Sequence, residues 1–329
     1  MILSICIPSY DRFETLNETI KSILQAKSDD FEVVVIDNCS PRDICEYINY
    51  NDQRVRIVKR DVPVYGGKSV ADSILYASGE YALLLLDKDT ICGEYLDEFI
   101  DTLSRNKDIM GGYCELNAEK QDVKIISENT IAEFGYLSKH PSGNLYKIDI
   151  LRNYMEEKAN CMERDPFAFD IYLAYCASLG KMMKYEKKLV CSNLTNMPKN
   201  DTGSLTFSKN KGNVYYLIPN RISQFKTYIN CLMELDVTKK EKKRALFYLY
   251  HRTIKLVSIH YRDIMRNKDV CNHYGHETEK VNIWKMLCNI VKTRWAFIWT
   301  KCKGINYFEK LGMDFKIVYL EVKRLFRKK

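Results

Sequence analysis

The chain has 329 residues, of which 46% are hydrophobic and 29% charged, a balance that excludes an intrinsically disordered protein. No run of about 18 uncharged apolar residues occurs, so we expect no membrane-spanning helix, and strand-like sequence from Ile2 leaves no room for a secretory leader. The net charge of +8 is uneven, because residues 285–329 carry twelve Lys and Arg against three acids, while the rest has 39 basic and 40 acidic side chains. Twelve cysteines without a C-x-x-C pair favour a reduced, cytoplasmic compartment.

The first ninety residues alternate between strand-like and helix-like segments. Asp11 and Glu14 resemble a capping box, which predicts the start of a helix after the first strand, and a second helix is expected between Gly66 and Gly79. Alternation at this spacing predicts an α/β fold with a mainly parallel sheet and helices on both faces. The strands are predicted at residues 2–8, 31–36, 55–58 and 81–86.

Polar residues follow three of these strands directly. They are Pro8-Ser9-Tyr10, Asp37-Asn38 and Asp87-Lys88-Asp89. In open α/β sheets ligands bind beyond the carboxyl ends of the strands, so these three groups are expected to meet at one edge. Asp87 and Asp89 together could share Mg²⁺ or Mn²⁺ with a bound diphosphate, although a D-x-D triplet is also common in solvated turns.

The three blocks that contain these residues resemble the family 2 glycosyltransferases of the GT-A, Rossmann-like fold. The blocks are Ser4 to Tyr10, Val33 to Ser40, and Ala77 to Asp89. A looser match to enzymes of bacterial surface-polysaccharide synthesis covers residues 140–146, 169–170 and 180–181. Two departures stand out: Val64 to Lys68 replaces an Asn-x-Gly stretch, and Glu163-Arg164-Asp165 replaces a Glu-Asp pair.

The resemblance implies roles for individual residues. Asp89 would ligate Mn²⁺ or Mg²⁺, and Asp87 would approach the metal or the ribose. Asp37 would hydrogen-bond the base of the nucleotide, which family habit suggests is UDP. Two alternatives stay open: Asp37 could be a turn cap, and Arg12 could be an exposed charge at the start of a helix. The nucleotide-sugar site as a whole would comprise Pro8, Tyr10, Arg12, Asp37, Asn38, Gly67, Lys68, Asp87, Lys88 and His140.

Transfer with inversion needs a carboxylate base near the acceptor hydroxyl. Glu163, Asp165 and Asp170 are the candidates. Asp170 is preferred because an acid among apolar residues at a helix start is costly without a task or a partner. Asp165 is the reserve, and as the residue before Pro166 it could instead be a plain N-cap.

The end of the chain predicts a helical, basic region. We expect a catalytic domain over 1–218, with the nucleotide-sugar part at 1–92 and the acceptor and base part at 93–218, followed by a helical region at 219–329. Basic residues beside an apolar helical face suit an anionic membrane surface, although a docked helix with a solvated basic face is also compatible. Without a recognised binding module, nucleic acid is not expected. The apolar face comprises Phe315, Val318, Tyr319, Val322, Leu325 and Phe326.

Together these observations predict a metal-dependent inverting glycosyltransferase of cell-surface polysaccharide synthesis. The donor would be a nucleotide sugar and the acceptor a glycan or lipid-linked glycan, on the inner face of the plasma membrane. The alternative is a non-catalytic, membrane-associated protein that binds nucleotide sugars or acts as a scaffold. Sugar nucleotidyltransferases are disfavoured because Pro8-Ser9-Tyr10-Asp11 stands where they carry a glycine-rich phosphate loop.

Overall fold

The computed structural model describes residues 1–48, 50–64, 66–137, 140–162, 167–192, 214–273 and 275–327. The chain divides into two compact units, Met1–Thr130 with Ser138–Ser204, and Ile131–Leu137 with Leu205–Lys329. Among the described residues, none of the helices combines the length and apolar character needed to cross a bilayer.

The first unit is built around an eight-stranded sheet, as far as the described residues show, in the order β3-β2-β1-β4-β8-β6-β9-β7. The half formed by β3, β2, β1 and β4 is parallel, β8 runs antiparallel to both of its neighbours, and β6 pairs in parallel with β9. The expected α/β fold with a mostly parallel sheet is confirmed. The strands are β1 (Leu3–Ser9), β2 (Phe31–Asp37), β3 (Val55–Lys59), β4 (Tyr81–Leu84), β5 (Thr90–Ile91), β6 (Ile109–Cys114), β7 (Val123–Ile126), β8 (Asn144–Lys147), β9 (Lys181–Tyr185) and β10 (Val190–Cys191).

The core of this unit follows from the continuous apolar strands. Every residue of β1 and β2 is buried, as expected for parallel strands covered on both faces. Helix α1 adds Phe13, Leu16 and Ile20 to the same core. The helices of this unit are α1 (Phe13–Ile23), α2 (Ile44–Tyr47), α3 (Gly66–Asp72, continued by a 3₁₀ turn at Ser73–Tyr76), α4 (Gly93–Arg105), α6 (Ile148–Met162) and α7 (Ala168–Leu179). Between α4 and α6 the chain forms α5 (Thr130–Phe134), which belongs to the second unit except for Thr130.

The predicted capping box at the start of α1 is wrong. Arg12 occupies the N-cap position, without a capping bond from its side chain. Asp11 has a positive φ of 54° and its carboxylate accepts a hydrogen bond from Arg42 Nε. Its backbone N–H donates to Ser40 Oγ at 2.9 Å. Asp11 therefore ties the turn after β1 to the turn after β2, and that long-range pairing replaces the local cap.

The second unit is helical, as predicted. Its core includes stacked rings of Tyr250 and Phe297, with centroids 4.0 Å apart, and Phe225 beside Tyr250 at 5.9 Å. All three side chains are almost fully buried, so these rings join three helices into one core. The helices are α8 (Ile218–Glu234), α9 (Lys239–Lys255, continued by a π turn at Leu256–His260), α10 (Tyr261–Arg266), α11 (Lys268–His273), α12 (Ile283–Trp299) and α13 (Tyr307–Arg327).

Candidate active site

The carboxyl ends of β1, β2 and β4 lie next to one another in the first unit. Ser9 and Asp37 are partners in the β1–β2 register, and Asn38 N donates to Ser9 O at 2.9 Å. Ser9 Oγ donates to Asp87 Oδ2 at 3.0 Å. The side chains at the ends of these strands are therefore linked into one polar edge.

Asp87 is buried and paired. Besides the bond from Ser9, its Oδ1 accepts a hydrogen bond from Arg12 Nη1 at 2.9 Å. Arg12 is only 18% exposed, so it lies within this edge and is not the exposed charge considered as an alternative. The positive guanidinium offsets the cost of burying the Asp87 carboxylate.

Asp89 is fully buried and differs from Asp87 in its partners. Ser142 Oγ donates to its Oδ2, and its backbone carbonyl accepts from Thr19 Oγ1 at 2.8 Å. Its Oδ1 is buried and has no hydrogen-bond partner within the part of the chain that the structure describes. A buried carboxylate oxygen without a partner costs about 1–3 kcal/mol or more, and a divalent cation would remove that cost. The donor chemistry at Asp89 therefore fits a metal ion.

His140 lies beside the same carboxylate. Its Nδ1 is 3.5 Å from Asp89 Oδ2. Burial lowers the pKa of His140 below its usual value, and the positive charge of Lys88 adds to this effect, while Asp89 opposes it. The described residues contain no cluster of three or more His, Cys, Asp or Glu able to hold a metal. One carboxylate completed by phosphate oxygens and water is the usual arrangement for Mg²⁺.

The segment before β8 holds Asp89 in place through the Ser142 side chain, which the sequence interpretation missed. Ser142 Oγ accepts a hydrogen bond from Leu86 N at 2.9 Å while it donates to Asp89. Gly143 N donates to Leu84 O at 2.9 Å. Gly143 has a φ of +94°, and a Cβ there would lie 2.3 Å from Cys114 O. The Ser-Gly pair immediately before a strand is the sequence signal that could have identified this support.

Asp37 and Asn38 form the second part of the edge. Asp37 is 3% exposed and accepts hydrogen bonds from both N and Oγ of Ser40. Burial raises the pKa of Asp37, although the bonds from Ser40 oppose the shift. Asp37 thus acts as the turn cap considered above, yet an ionised carboxylate has about four acceptor positions and can still receive a nucleotide base. Asn38 exchanges two side-chain hydrogen bonds with the backbone of Val64, which fixes the loop that leads to α3.

Four further predicted donor-site residues flank this edge. Pro8 is buried within β1, and the half-buried Tyr10 follows that strand. Gly67 and Lys68 lie in the first turn of α3. The Lys68 ammonium is 2.6 Å from Asp72 Oδ2, so in this structure its charge is paired within its own helix.

Asp170 lies in the first turn of α7 and is 2% exposed. The nearby hydroxyl of Tyr146 donates to Phe169 O at 3.0 Å. Burial raises the pKa of Tyr113 on β6, and the charges of Cys114, Glu115, Asp170 and Asp89 add smaller contributions, in that order. The sequence interpretation missed this electrostatic effect of Asp170 and Asp89 on Tyr113. Glu163 and Asp165, the other candidate bases, lie outside the described residues.

Known proteins that are similar to this chain are glycosyltransferases. Residues 4–143 match the family model named Glycosyl transferase family 2. Two proteins of Haemophilus influenzae, each described as an uncharacterized glycosyltransferase, are similar to the chain. The first is 25% identical over 108 residues, which are 33% of this chain and only 36% of that relative. The second is 23% identical over 283 residues, covering 76% of this chain and 85% of the relative.

Solved structures share the fold. Residues 1–349 of S. aureus TarS superpose with a TM-score of 0.56 at 13% identity, covering 83% of this chain and 89% of that TarS fragment. The same TarS fragment in complex with UDP-GlcNAc gives a TM-score of 0.53 at 13% identity, with the same coverage. At this level of identity the similarity establishes the fold.

Proposed function

Because the chain carries a family 2 glycosyltransferase domain over residues 4–143, we propose that it transfers a sugar from a nucleotide-diphosphate donor, with inversion and with a divalent metal. The proposed acceptor is a glycan or lipid-linked glycan of cell-surface polysaccharide synthesis, at the inner face of the plasma membrane. The observation that carries the proposal is the buried Asp89 carboxylate, whose Oδ1 has no partner among the described residues. It lies two residues after Asp87, at the carboxyl edge of the sheet.

Asp89 would hold the metal, and Ser142 orients it by fixing the other carboxylate oxygen. A bound Mn²⁺ or Mg²⁺ would neutralise negative charge that develops on the departing diphosphate. His140, whose Nδ1 is buried and has no hydrogen bond within the described residues, supplies a second donor atom 3.5 Å from Asp89 Oδ2. Arg12, now paired with Asp87, provides positive charge for the diphosphate.

Asp37 and Asn38 support donor binding by forming a fixed end to β2. The remaining acceptor positions of the Asp37 carboxylate suit the imide N–H of uracil, which is a hydrogen-bond donor. TarS, which has the same fold, has been solved with UDP-GlcNAc. UDP sugars are therefore the first donors to test.

Asp170 is the proposed base. The acceptor hydroxyl oxygen would form a bond to the anomeric carbon as the bond from that carbon to the diphosphate oxygen breaks. The hydroxyl proton would pass to the Asp170 carboxylate. Attack from the face opposite the leaving group inverts the anomeric configuration. The position of Asp170, buried in the first turn of α7 at 2% exposure, supports this role.

Donor binding is tested first by thermal denaturation with UDP, GDP and TDP sugars, each with and without Mn²⁺. A ligand that binds only the folded protein raises the melting temperature. We expect Asp89→Asn to abolish the Mn²⁺-dependent part of the shift. Asp149→Asn is the matched control, because Asp149 is an exposed acid of the same unit. An Asp89→Asn variant that keeps the full Mn²⁺ effect would exclude Asp89 as the ligand.

Transfer is tested separately from binding. With a donor that binds, release of UDP in the presence of glycan acceptors measures turnover. We expect Asp170→Asn to keep the thermal shift with the donor and to lose turnover. Unchanged turnover would remove Asp170 from the mechanism. Donor binding without any hydrolysis or transfer across the panel would instead favour the alternative, a non-catalytic nucleotide-sugar-binding protein.

A further inference from the structure

Helix α12 exposes large apolar side chains along one face. Trp284, Val291, Trp295 and Trp299 are 48–72% exposed. Their spacings of seven, four and four residues place them on the same side of the helix. The opposite side, which includes Ile290 and Phe297, is buried. The exposed tryptophans are therefore not part of the core of the second unit.

Helix α13 repeats this arrangement. Phe308, Phe315 and Tyr319 are 80%, 64% and 64% exposed, again at spacings of seven and four residues. Ile317 and Glu321 of the same helix are buried, so α13 packs on the unit through a different face. The predicted apolar face of the tail is thus exposed at Phe315 and Tyr319, while the side chains of Leu325 and Phe326 lie outside the description.

The exposed sides of the two helices form one surface. The Trp295 and Trp299 rings are parallel, with centroids 6.2 Å apart, and Trp299 lies 6.4 Å from Tyr307. The Arg294 guanidinium of α12 lies 5.6 Å from the ring centroid of Phe315 on α13. Contiguous exposed patches of this kind mark interaction sites. We define this surface as the aromatic face, comprising Trp284, Trp295, Trp299, Tyr307, Phe308, Phe315 and Tyr319.

The acidic residues of α13 do not contribute to this surface. Asp314 is buried, with Arg294 Nε 2.7 Å from its Oδ2 and the Tyr250 hydroxyl donating to its Oδ1 at 2.6 Å. Glu321 is buried against His251 Nε2 at 2.6 Å. Glu309 is held by two lysines of α9.

Most lysines of this region are exposed, although Lys310 is buried. Five lysines of α12, α13 and the turn between them are exposed, so the surface displays aromatic rings and positive charge. They are Lys292, Lys301, Lys303, Lys316 and Lys323.

We propose that the aromatic face docks the protein on an anionic lipid surface. Tryptophan and tyrosine rings are favoured at the level of the lipid headgroups, and nearby lysines are attracted to lipid phosphates. A second copy of the chain fits less well, because a two-fold interface would place the same positive surface against itself. The inference concerns the location of the protein and does not depend on transfer chemistry, so the vesicle experiment and the glycosyl-transfer assay can fail independently.

The chain contains its own reporter of this contact. All three tryptophans of the sequence, Trp284, Trp295 and Trp299, belong to the aromatic face. We expect their emission to shift to the blue when the full chain meets vesicles of phosphatidylcholine mixed with phosphatidylglycerol. Phosphatidylcholine alone should give a much smaller shift, and added salt should weaken the effect because it screens exposed charges. Unchanged emission with anionic vesicles would overturn the proposal.

Two sets of variants separate the aromatic and charge contributions. The double variant Phe308→Ser with Phe315→Ser should reduce co-sedimentation with anionic vesicles. The control is Val62→Ser with Ile125→Ser, which changes two exposed apolar residues of the first unit and should leave co-sedimentation unchanged. Lys316→Glu with Lys323→Glu should lower vesicle affinity by about tenfold or more.

The charge variant has its own control and an opposing outcome. Lys21→Glu with Lys27→Glu, which changes two exposed lysines of the first unit, should keep the affinity. Equal binding by both lysine variants would refute the role of this surface. A dimer in light scattering that Phe308→Ser with Phe315→Ser dissociates would assign the face to a second copy instead.

Discussion

Replacing Ser142 by alanine tests how the site holds Asp89. The Ser142 hydroxyl makes two hydrogen bonds, a buried one to Asp89 Oδ2 and a partly buried one from Leu86 N. Ser142 and Asp89 are both fully buried, so water cannot replace the hydroxyl at the carboxylate without a rearrangement. Ser142→Ala would leave a buried carboxylate oxygen and a partly buried amide without this partner.

The size of the effect follows from these two bonds. A hydrogen bond to a charged group contributes about 1.5–3 kcal/mol and a neutral one about 0.5–1.5 kcal/mol, so we expect a loss of roughly 2–4 kcal/mol in the free energy of unfolding of the first unit. This is a large share of a domain stability of about 5–15 kcal/mol. Ser104→Ala is the control, because Ser104 Oγ bonds only a carbonyl of its own helix at the surface, and it should change stability by less than about 0.5 kcal/mol.

The assay must report on the first unit. All three tryptophans lie in the second unit, so tryptophan fluorescence would follow the wrong transition. Hydrogen exchange at the Leu86 amide, with urea unfolding followed by circular dichroism, measures the relevant stability. In an Asp89→Asn background the cost of Ser142→Ala should shrink, because the charged acceptor is gone. An equal cost in both backgrounds, or a cost as small as that of Ser104→Ala, would refute this account.

Three further substitutions have expected outcomes. Gly143→Ala should sharply reduce the stability of the first unit in urea, because φ at Gly143 is +94° and the added Cβ would meet a backbone carbonyl. Gly66→Ala is the control, because the space around Gly66 is open, and it should not reduce stability. Equal stability of the two variants would contradict the predicted clash. Glu186 has a pKa of about 2, lowered mainly by its hydrogen bond from Lys124. The contribution of the Glu186 carboxylate to the free energy of unfolding is therefore complete at a pH above its ordinary pKa of 4.5, and it is lost as the pH falls through the lowered pKa of about 2. Glu186→Gln should therefore lower the melting temperature at pH 7, with a gap that narrows in acid, and a gap that widens in acid would be inconsistent with this. Asp37→Asn should weaken UDP binding measured by calorimetry. The affinity of the wild-type protein for UDP should also fall as the pH is lowered towards the raised pKa of Asp37. A UDP affinity that neither the substitution nor the pH changes would exclude recognition of the base by this carboxylate.

The sequence predicted the fold of the first unit because its strands are nearly pure apolar runs. The residues of β1 and β2 are buried on both faces, and such runs between helical segments are compatible with few architectures. The polar residues that follow β1, β2 and β4 were predicted to meet at one edge for the same reason. The bonds from Ser9 Oγ to Asp87 and from Asn38 N to Ser9 O show that they do.

Local patterns failed where a distant residue decided the outcome. Asp11 has the spacing of a capping box, but Arg42 and Ser40 engage it across the edge of the sheet. The antiparallel direction of β8 between β4 and β6 was likewise not predicted, because strand direction depends on how the intervening chain returns to the sheet.

The linear order of residues thus determined which segments are strands and helices, which residues follow the strands, and that the final helices are basic with aromatic side chains. Those properties depend on hydrophobic periodicity and composition, which are local. The tertiary structure alone decided that Ser142 fixes Asp89, that the charges of Asp89 and Asp170 both act on Tyr113, and that Asp314 and Glu321 of α13 are buried while Phe308, Phe315 and Tyr319 are exposed. These are contacts between residues far apart in the chain, and only the packing of the folded elements brings them together.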